Sequence, residues 1–195
     1  MTTRHGYSYK QAMAEAAKIG IITVSDRASG GRYADKSGPA IADWLAAVVS
    51  TPYSEVYRII PDEQATIEEA IRELADREHC SLVLTTGGTG PAPRDVTPEA
   101  VEAACERMLP GFGEQMRRAS LAVVPTAILS RQEAGIRGKT VVIALPGNPP
   151  AIADCLEAIF SAVPYAVDLI GGAWIDTRPE RLRAFRPKHA RRREE

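Results

Sequence analysis

From Ser81 to Glu99 the chain reads SLVLTTGGTGPAPRDVTPE, which joins an apolar strand, a glycine turn, a carboxylate and a helix start. Gly87, Gly88 and Gly90 tolerate positive φ and carry no Cβ, so backbone N–H groups between Thr86 and Gly90, Thr89 included, can approach a phosphate closely. Thr97 followed by Pro98 predicts an N-cap and first-turn pair, and the helix it opens turns unpaired N–H groups and a positive dipole end toward the same loop. A lone acid in such a site repels its ligand. Asp95 fits if a divalent cation bridges it to the phosphates, as Mg²⁺ does with one or two carboxylates. The competing reading makes Asp95 a turn residue or second helix cap and the glycines ordinary strand-to-helix punctuation. Neither GxxxxGK[ST] nor GxGxxG is present, so the usual nucleotide fingerprints do not apply.

A second acid, Asp62, follows the apolar run ending in Ile59-Ile60. If Asp62 and Asp95 face one crevice, two carboxylates can hold one Mg²⁺ against a triphosphate, the arrangement that nucleotidyl transfer requires. Read alone, Asp62 is equally a cap for the next helix, and Asp26 in Ser25-Asp26-Arg27 is a turn or surface ion-pair residue. Arg27, Arg94 and Arg131 are able to supply bidentate phosphate contacts, against the alternative of surface or structural arginines.

Strand and helix signals alternate from Lys18 onward, which predicts a three-layer, doubly wound, mostly parallel α/β sheet with helices on both faces. Expected strands cover Ile19 to Val24, about Glu55 to Ile60, Leu82 to Leu84, and Lys139 to Leu145. The expected helices include one carrying Ile41, Trp44, Leu45 and Val48, and one starting near Thr66 with a Thr66–Glu69 capping box. Two more are expected from Thr97 to Met108 and from Gly111 to Val123, and a last region from Ala151 to about Ile170 is divided at Pro164. Thr126 to Ile136 shows little periodicity. In such sheets ligands lie beyond the carboxyl ends of the strands, where strand order reverses. Four loops follow strands: Ser25-Asp26-Arg27, Pro61-Asp62-Glu63, Thr86 to Asp95, and Pro146 to Pro150 with Gly147 and Asn148. Their convergence is the central expectation.

The 195 residues, 45% hydrophobic and 25% charged with net charge −1, describe one ordinary globular domain with no field for wrapping nucleic acid. Cys80, Cys105 and Cys155 are far apart and form no CxxC, so a reducing cytoplasm is expected, without a disulfide framework or zinc site. No apolar stretch is long enough for a membrane span. Residues 1–17 are expected to be an arm, with Gln11 to Lys18 a possible short helix; 18–175 the domain; and 176–195 a tail whose basic run, Arg186 to Arg193, is solvated. Trp44 and Trp174 are expected in packed positions, with exposed anchoring as the alternative. The scattered histidines are assigned no chemistry.

Taken together, IGIITVSDRASGGRYADKSGPAI, RIIPDEQATIE, LVLTTGGTGPAPRDVTPEA, PGFGEQMR, PTAILSRQEAGIRGK and LPGNPPAI resemble the molybdopterin adenylyltransferases of molybdenum cofactor biosynthesis, over about Lys18 to Leu169. The resemblance implies a cytoplasmic homotrimer that binds molybdopterin and Mg-ATP and transfers AMP to the pterin's terminal phosphate, with a molybdate-inserting enzyme as a further partner. It implies catalysis and metal binding at Asp62 and Asp95. Nucleotide phosphates would be held by Ser25, Asp26, Arg27, Thr86, Gly87, Gly88, Thr89, Gly90, Arg94 and Thr97. The pterin side would take Ser120, Ser130, Arg131, Gly147 and Asn148. Pro93 stands where some bacterial relatives carry a second arginine, and the region near Ile159 lacks an insertion found in some, as in the plant-type module. Two alternatives stay open: a molybdopterin carrier or scaffold without catalysis, and a regulatory domain that binds ATP with no need of pterin.

Overall fold

A computed structural model describes residues 16–188 and 190. Its centre is a six-stranded sheet, made of β1 (Ala17–Val24), β2 (Tyr53–Ile60), β3 (Leu82–Thr86), β4 (Arg107–Met108), β5 (Ala134–Arg137) and β6 (Thr140–Leu145), in the order β2-β1-β3-β6-β5-β4. The four strands β2, β1, β3 and β6 run parallel, while β5 and β4 are antiparallel additions at one edge. β1, β3 and β6 are almost fully buried along their lengths, which is why they read as continuous apolar runs.

The helices are α1 (Asp26–Ser29), α2 (Ser37–Val48), α3 (Gln64–Arg72), α4 (Thr97–Ala104), α5 (Pro110–Leu121), α6 (Pro149–Ile159) and α7 (Val163–Leu169). One layer, with α2, α5, α6 and α7, packs on Ile19, Ile21, Leu82, Leu84, Val141 and Ile143. The other, with α3 and α4, packs on Ile22, Val24, Val83, Val142 and Ala144. The alternation along each strand divides these two sets, so the sheet separates two cores. Trp44 is buried and meets Phe160 edge to face at a centroid distance of 4.9 Å; truncating a buried aromatic such as Phe160 costs about 3–5 kcal/mol.

Several boundaries differ from the sequence expectations. β1 opens at Ala17, so the expected Gln11 to Lys18 helix ends in a strand, and the rest of that arm lies outside the described residues. The helix expected through Met108 stops at Ala104 because Cys105 turns extended, and Arg107–Met108 pair with β5 instead. α3 starts at Gln64 rather than Thr66; no Thr66–Glu69 capping box forms, and Thr66 Oγ1 donates to Glu63 at 3.5 Å. Thr97 is not an N-cap: α4 begins with it, and its hydroxyl donates to the Gly87 carbonyl at 2.8 Å. The division at Pro164 is present, with that proline in the first turn of α7.

The described residues beyond Ile175 pack back on the domain rather than trailing from it. Thr177 bridges to Val49, the Arg178 N–H donates to Val48 O at 2.8 Å, and the Phe185 N–H donates to Ser161 O at 2.8 Å. Arg186, expected in a solvated run, pairs with Asp168 at 2.6 Å and lies over the Trp174 ring, 3.7 Å from its centroid. Its planar guanidinium suits both partners at once. His189 and 191–193 of the run lie outside the described residues.

Candidate active site

A cavity of about 640 Å³ opens at the carboxyl ends of the parallel strands, lined by residues that include Ser25, Asp26, Asp62, Gly87, Gly88, Asp95, Gly147 and Asn148. All four strand-end loops contribute, so the expected convergence is present. The position is the switch point: the chain leaves β1 toward β2 on one side, and β3 lies on the other.

The glycine turn forms one wall. Gly87 has φ +98° and Gly88 φ +62°; a Cβ on Gly87 would collide with the Val24 carbonyl oxygen, and one on Gly88 would lie 2.5 Å from Thr97 Oγ1. Glycine is required at both for conformation and for space. Thr97 fastens the turn twice, by its hydroxyl to Gly87 O and by its N–H to Gly88 O at 3.1 Å. Asp62 and Asp95 border this turn: Asp62 Oδ1 lies 3.4 Å from the Cβ position of Gly88, and Asp95 Oδ2 2.7 Å from that of Gly90.

A second part of the lining is the loop between β1 and α2. Ser25 caps α1, its Oγ accepting from the Ala28 N–H at 3.2 Å. Asp26 and Asp62 exchange hydrogen bonds: the Asp26 N–H donates to Asp62 Oδ2 at 2.6 Å, and the Asp62 N–H donates to Asp26 Oδ1 at 3.1 Å. Asp62 is therefore not the cap of α3; its carboxylate crosses to the neighbouring loop. Burial pushes its carboxyl above the ordinary aspartate value, assisted by the nearby Asp26 and Asp95 and opposed by the Asp26 N–H and Arg94. Asp26 is held low, first by its hydrogen bonds with Arg94, whose guanidinium reaches it at 2.7 Å.

Around the lining, Arg27 and Lys36 are the cations and Asp26, Asp35, Asp62 and Asp95 the acids. An anionic ligand enters this field most favourably in company with a cation. Among the described residues no group of three or more His, Cys, Asp or Glu side chains is placed to hold a metal unaided. Two carboxylates beside a glycine turn fit Mg²⁺ that keeps phosphate oxygens and waters as its remaining ligands.

Other expected site residues stand behind the lining. Thr86 donates its hydroxyl to Pro146 O at 2.7 Å, joining two strand ends. Arg94, committed to Asp26, is not part of the lining. Arg131 braces the glycine loop from outside: its N–H donates to Thr89 O at 2.8 Å, its Nε to Gly90 O at 2.9 Å, and its remaining nitrogens to Asp95 O and to Glu99. Asp95 itself accepts from the Ala92 N–H at 2.9 Å, so the turn reading holds beside its place in the lining. Ser120 is buried and faces Cys155 Sγ at 3.5 Å beneath α5 and α6, and Ser130 Oγ is buried; neither lines this cavity. Sequence reasoning missed Thr23, Tyr33, Asp35, Lys36 and Ser37, which do line it. The available signal was Asp35 two residues before Ser37 at a helix start, an Asx-turn pattern.

The family model described as "Probable molybdopterin binding domain" matches residues 20–165. A molybdopterin adenylyltransferase of Haemophilus influenzae is 52% identical over 92% of this chain and 98% of its own length. One from Escherichia coli is 51% identical over 90% of this chain and 96% of its own. The crystal structure of the molybdopterin biosynthesis enzyme MoaB from Thermus thermophilus superposes with TM-score 0.74 at 42% identity, covering 81% of this chain and 99% of that one.

Proposed function

Since the chain belongs to the molybdopterin-binding domain family, we propose that it is a molybdopterin adenylyltransferase, which transfers AMP from ATP to the terminal phosphate of molybdopterin and releases pyrophosphate. The observation that carries this reading is the pair Asp62 and Asp95 bordering a positive-φ glycine turn where four strand ends converge.

In the proposed reaction a pterin phosphate oxygen forms a bond to the α-phosphorus of ATP. The bond from that phosphorus to the bridging oxygen breaks, and its electron pair leaves with pyrophosphate. No side-chain nucleophile is required, so the protein contributes position and charge. Backbone donors of the Gly87–Gly90 turn, with Ser25 and Arg27 of the same lining, are assigned to the nucleotide phosphates, and Gly147 and Asn148 to the pterin side. Asp62 and Asp95 would hold Mg²⁺; when bound, it supplies charge neutralisation on the triphosphate. Asp62, penalised by burial and by the neighbouring Asp26 and Asp95, gains from such a cation.

We assign the protein to the cytoplasm and to a homotrimer, with a molybdate-inserting enzyme downstream. No helix among the described residues is long and apolar enough to cross a membrane. The exposed apolar residues Leu121, Val123, Val124, Ile128 and Leu129 give a continuous stretch of chain for subunit packing. Light scattering is expected to give three times the monomer mass, and Val123→Glu to lower it.

The decisive assay follows pyrophosphate and adenylylated pterin from purified protein with molybdopterin, ATP and Mg²⁺. Asp62→Ala and Asp95→Ala are each expected to lower turnover by about 100-fold or more. Tight pterin binding without product would make the protein a carrier; ATP binding indifferent to pterin would make it a regulatory domain.

A further inference from the structure

The two cations on the cavity lining, Arg27 and Lys36, both sit on the loop between β1 and α2, and both lie near one ring: Arg27 Cζ is 5.3 Å and Lys36 Nζ 5.7 Å from the Tyr33 centroid. Tyr33 is 47% exposed, so that ring alone cannot fix Lys36 in place. The residue beside Lys36 is tied down far more firmly. Asp35 Oδ1 accepts from the Ser37 N–H at 2.9 Å and the Ser37 hydroxyl at 2.9 Å, and Oδ2 accepts from Thr23 Oγ1 at 2.8 Å and from the Tyr57 hydroxyl. The Gly38 N–H adds contacts of 3.3 Å to both oxygens, and a Cβ at Gly38 would collide with the Tyr57 ring. One carboxylate thus joins β1, β2 and the first turn of α2.

We propose that Lys36 is a phosphate-contacting residue of this site and that Asp35 is its positioning residue. The carboxylate latch fixes the backbone from which the ammonium reaches the cavity that the glycine turn also lines. The loop is pinned at its start by the Asp26–Asp62 exchange and at its end by Asp35, while Gly30, Gly31, Arg32 and Tyr33 between them are exposed. Between those ends the Gly31, Arg32 and Tyr33 N–H groups bond only within the loop, to Ala28 O and Arg27 O, so the loop's register on the sheet depends on both ends. The alignment of Lys36 with a ligand phosphate therefore depends on Asp35, and the dependence is one-way. Removing Lys36 removes a charge; removing Asp35 leaves the charge but lets it wander.

The proposal rests on the adenylyltransferase reading, and the experiment separates the two. Mg-ATP and molybdopterin are titrated by calorimetry into the wild type, Lys36→Ala, Asp35→Ala, and the double variant, and KM and kcat are measured beside them. Lys36→Ala and Asp35→Ala are each expected to weaken binding of one of the two phosphate ligands about tenfold. The double variant should be no weaker than the worse single one, a coupling that a general loss of stability would not produce. Lys36→Arg should restore most of the affinity in the wild-type background and none of it with Asp35→Ala. Tyr57→Phe, which keeps the ring and removes one latch donor, is a milder version for use if Asp35→Ala fails to fold, and should give a smaller shift of the same sign. Additive losses, or unchanged affinity for both ligands with only a lower melting temperature, would overturn the proposal. Absence of adenylylation by the wild type, with the coupled binding losses intact, would overturn the enzymatic reading and leave the latch standing.

Discussion

The two walls of the cavity are held by different chemistry. The glycine-turn wall is fastened chiefly to carbonyl oxygens: Thr97 to Gly87 and Gly88, and Arg131 to Thr89, Gly90 and Asp95. On the wall between β1 and α2 carboxylates join in, Asp26 and Asp62 at one end and Asp35 at the other, beside the Ile60 carbonyl that accepts from the Ser25 N–H at 2.8 Å. Carbonyls do not titrate and carry no net charge, so the first wall keeps its shape across conditions. The second carries net negative charge on its fastenings and so responds to cations and salt. A phosphate site needs both: a cradle of fixed shape and a face whose field responds when charge arrives.

The largest break in this contrast is expected from Gly87→Val, which forces a β-branched residue to φ +98° against the Val24 carbonyl. Activity should be abolished and the melting temperature should fall, since strain of this kind costs about 1–3 kcal/mol before any clash is counted. Arg131→Ala comes next. It strips several charge-assisted hydrogen bonds from the loop and should cost about 1.5–3 kcal/mol in denaturant unfolding, with turnover reduced far more than by a surface arginine variant such as Arg77→Ala.

The smallest effect sharpens the contrast, because a carboxyl with a raised pKa, Glu133, follows Arg131 and Gln132 behind the glycine-turn wall. Burial pushes the Glu133 carboxyl up to about 7, reinforced by Glu102 and Glu99 and opposed by Arg131 and Arg117; its Oε1 is buried without a hydrogen-bond partner among the described residues. A folded pKa above the unfolded one means that the neutral form favours folding. That contribution is complete below about pH 4.5 and is lost as pH rises through about 7. Glu133→Gln should therefore match the wild type in melting temperature near pH 4.5 and exceed it by a few degrees at pH 8. Equal curves at both values would remove Glu133 from the account.

How far the sequence went follows the same physics. β1, β3 and β6 were legible because burial on both faces demands uninterrupted apolar runs, and four loops then fell at strand ends without further information. β4 and β5 were not, since Arg107–Met108 is too short for any period and Ala134–Arg137 mixes glycine and arginine with apolar residues. In the site, Asp62, Asp95, Gly87 and Gly88 were visible by residue type. Arg131 looked like a ligand contact because its guanidinium suits phosphate; the guanidinium's partners proved to be two backbone carbonyls and Glu99, which composition cannot distinguish. Asp35 was overlooked because its partners Thr23 and Tyr57 are 12 and 22 residues away, and no local pattern announces a bond across two strands.

The start of β1 has a consequence for how this domain can be joined to other proteins. Ala17 pairs with Tyr53 at the amino ends of the strands, and the 8 residues of β1 carry the chain toward the cavity, roughly 26 Å at about 3.3 Å per residue. Thr177 bridges to Val49 just beyond the same end of α2. Ala17 and Thr177 thus stand at the end of the strands away from the opening. A module fused directly before Ala17 would enter the sheet at that end and leave the mouth clear.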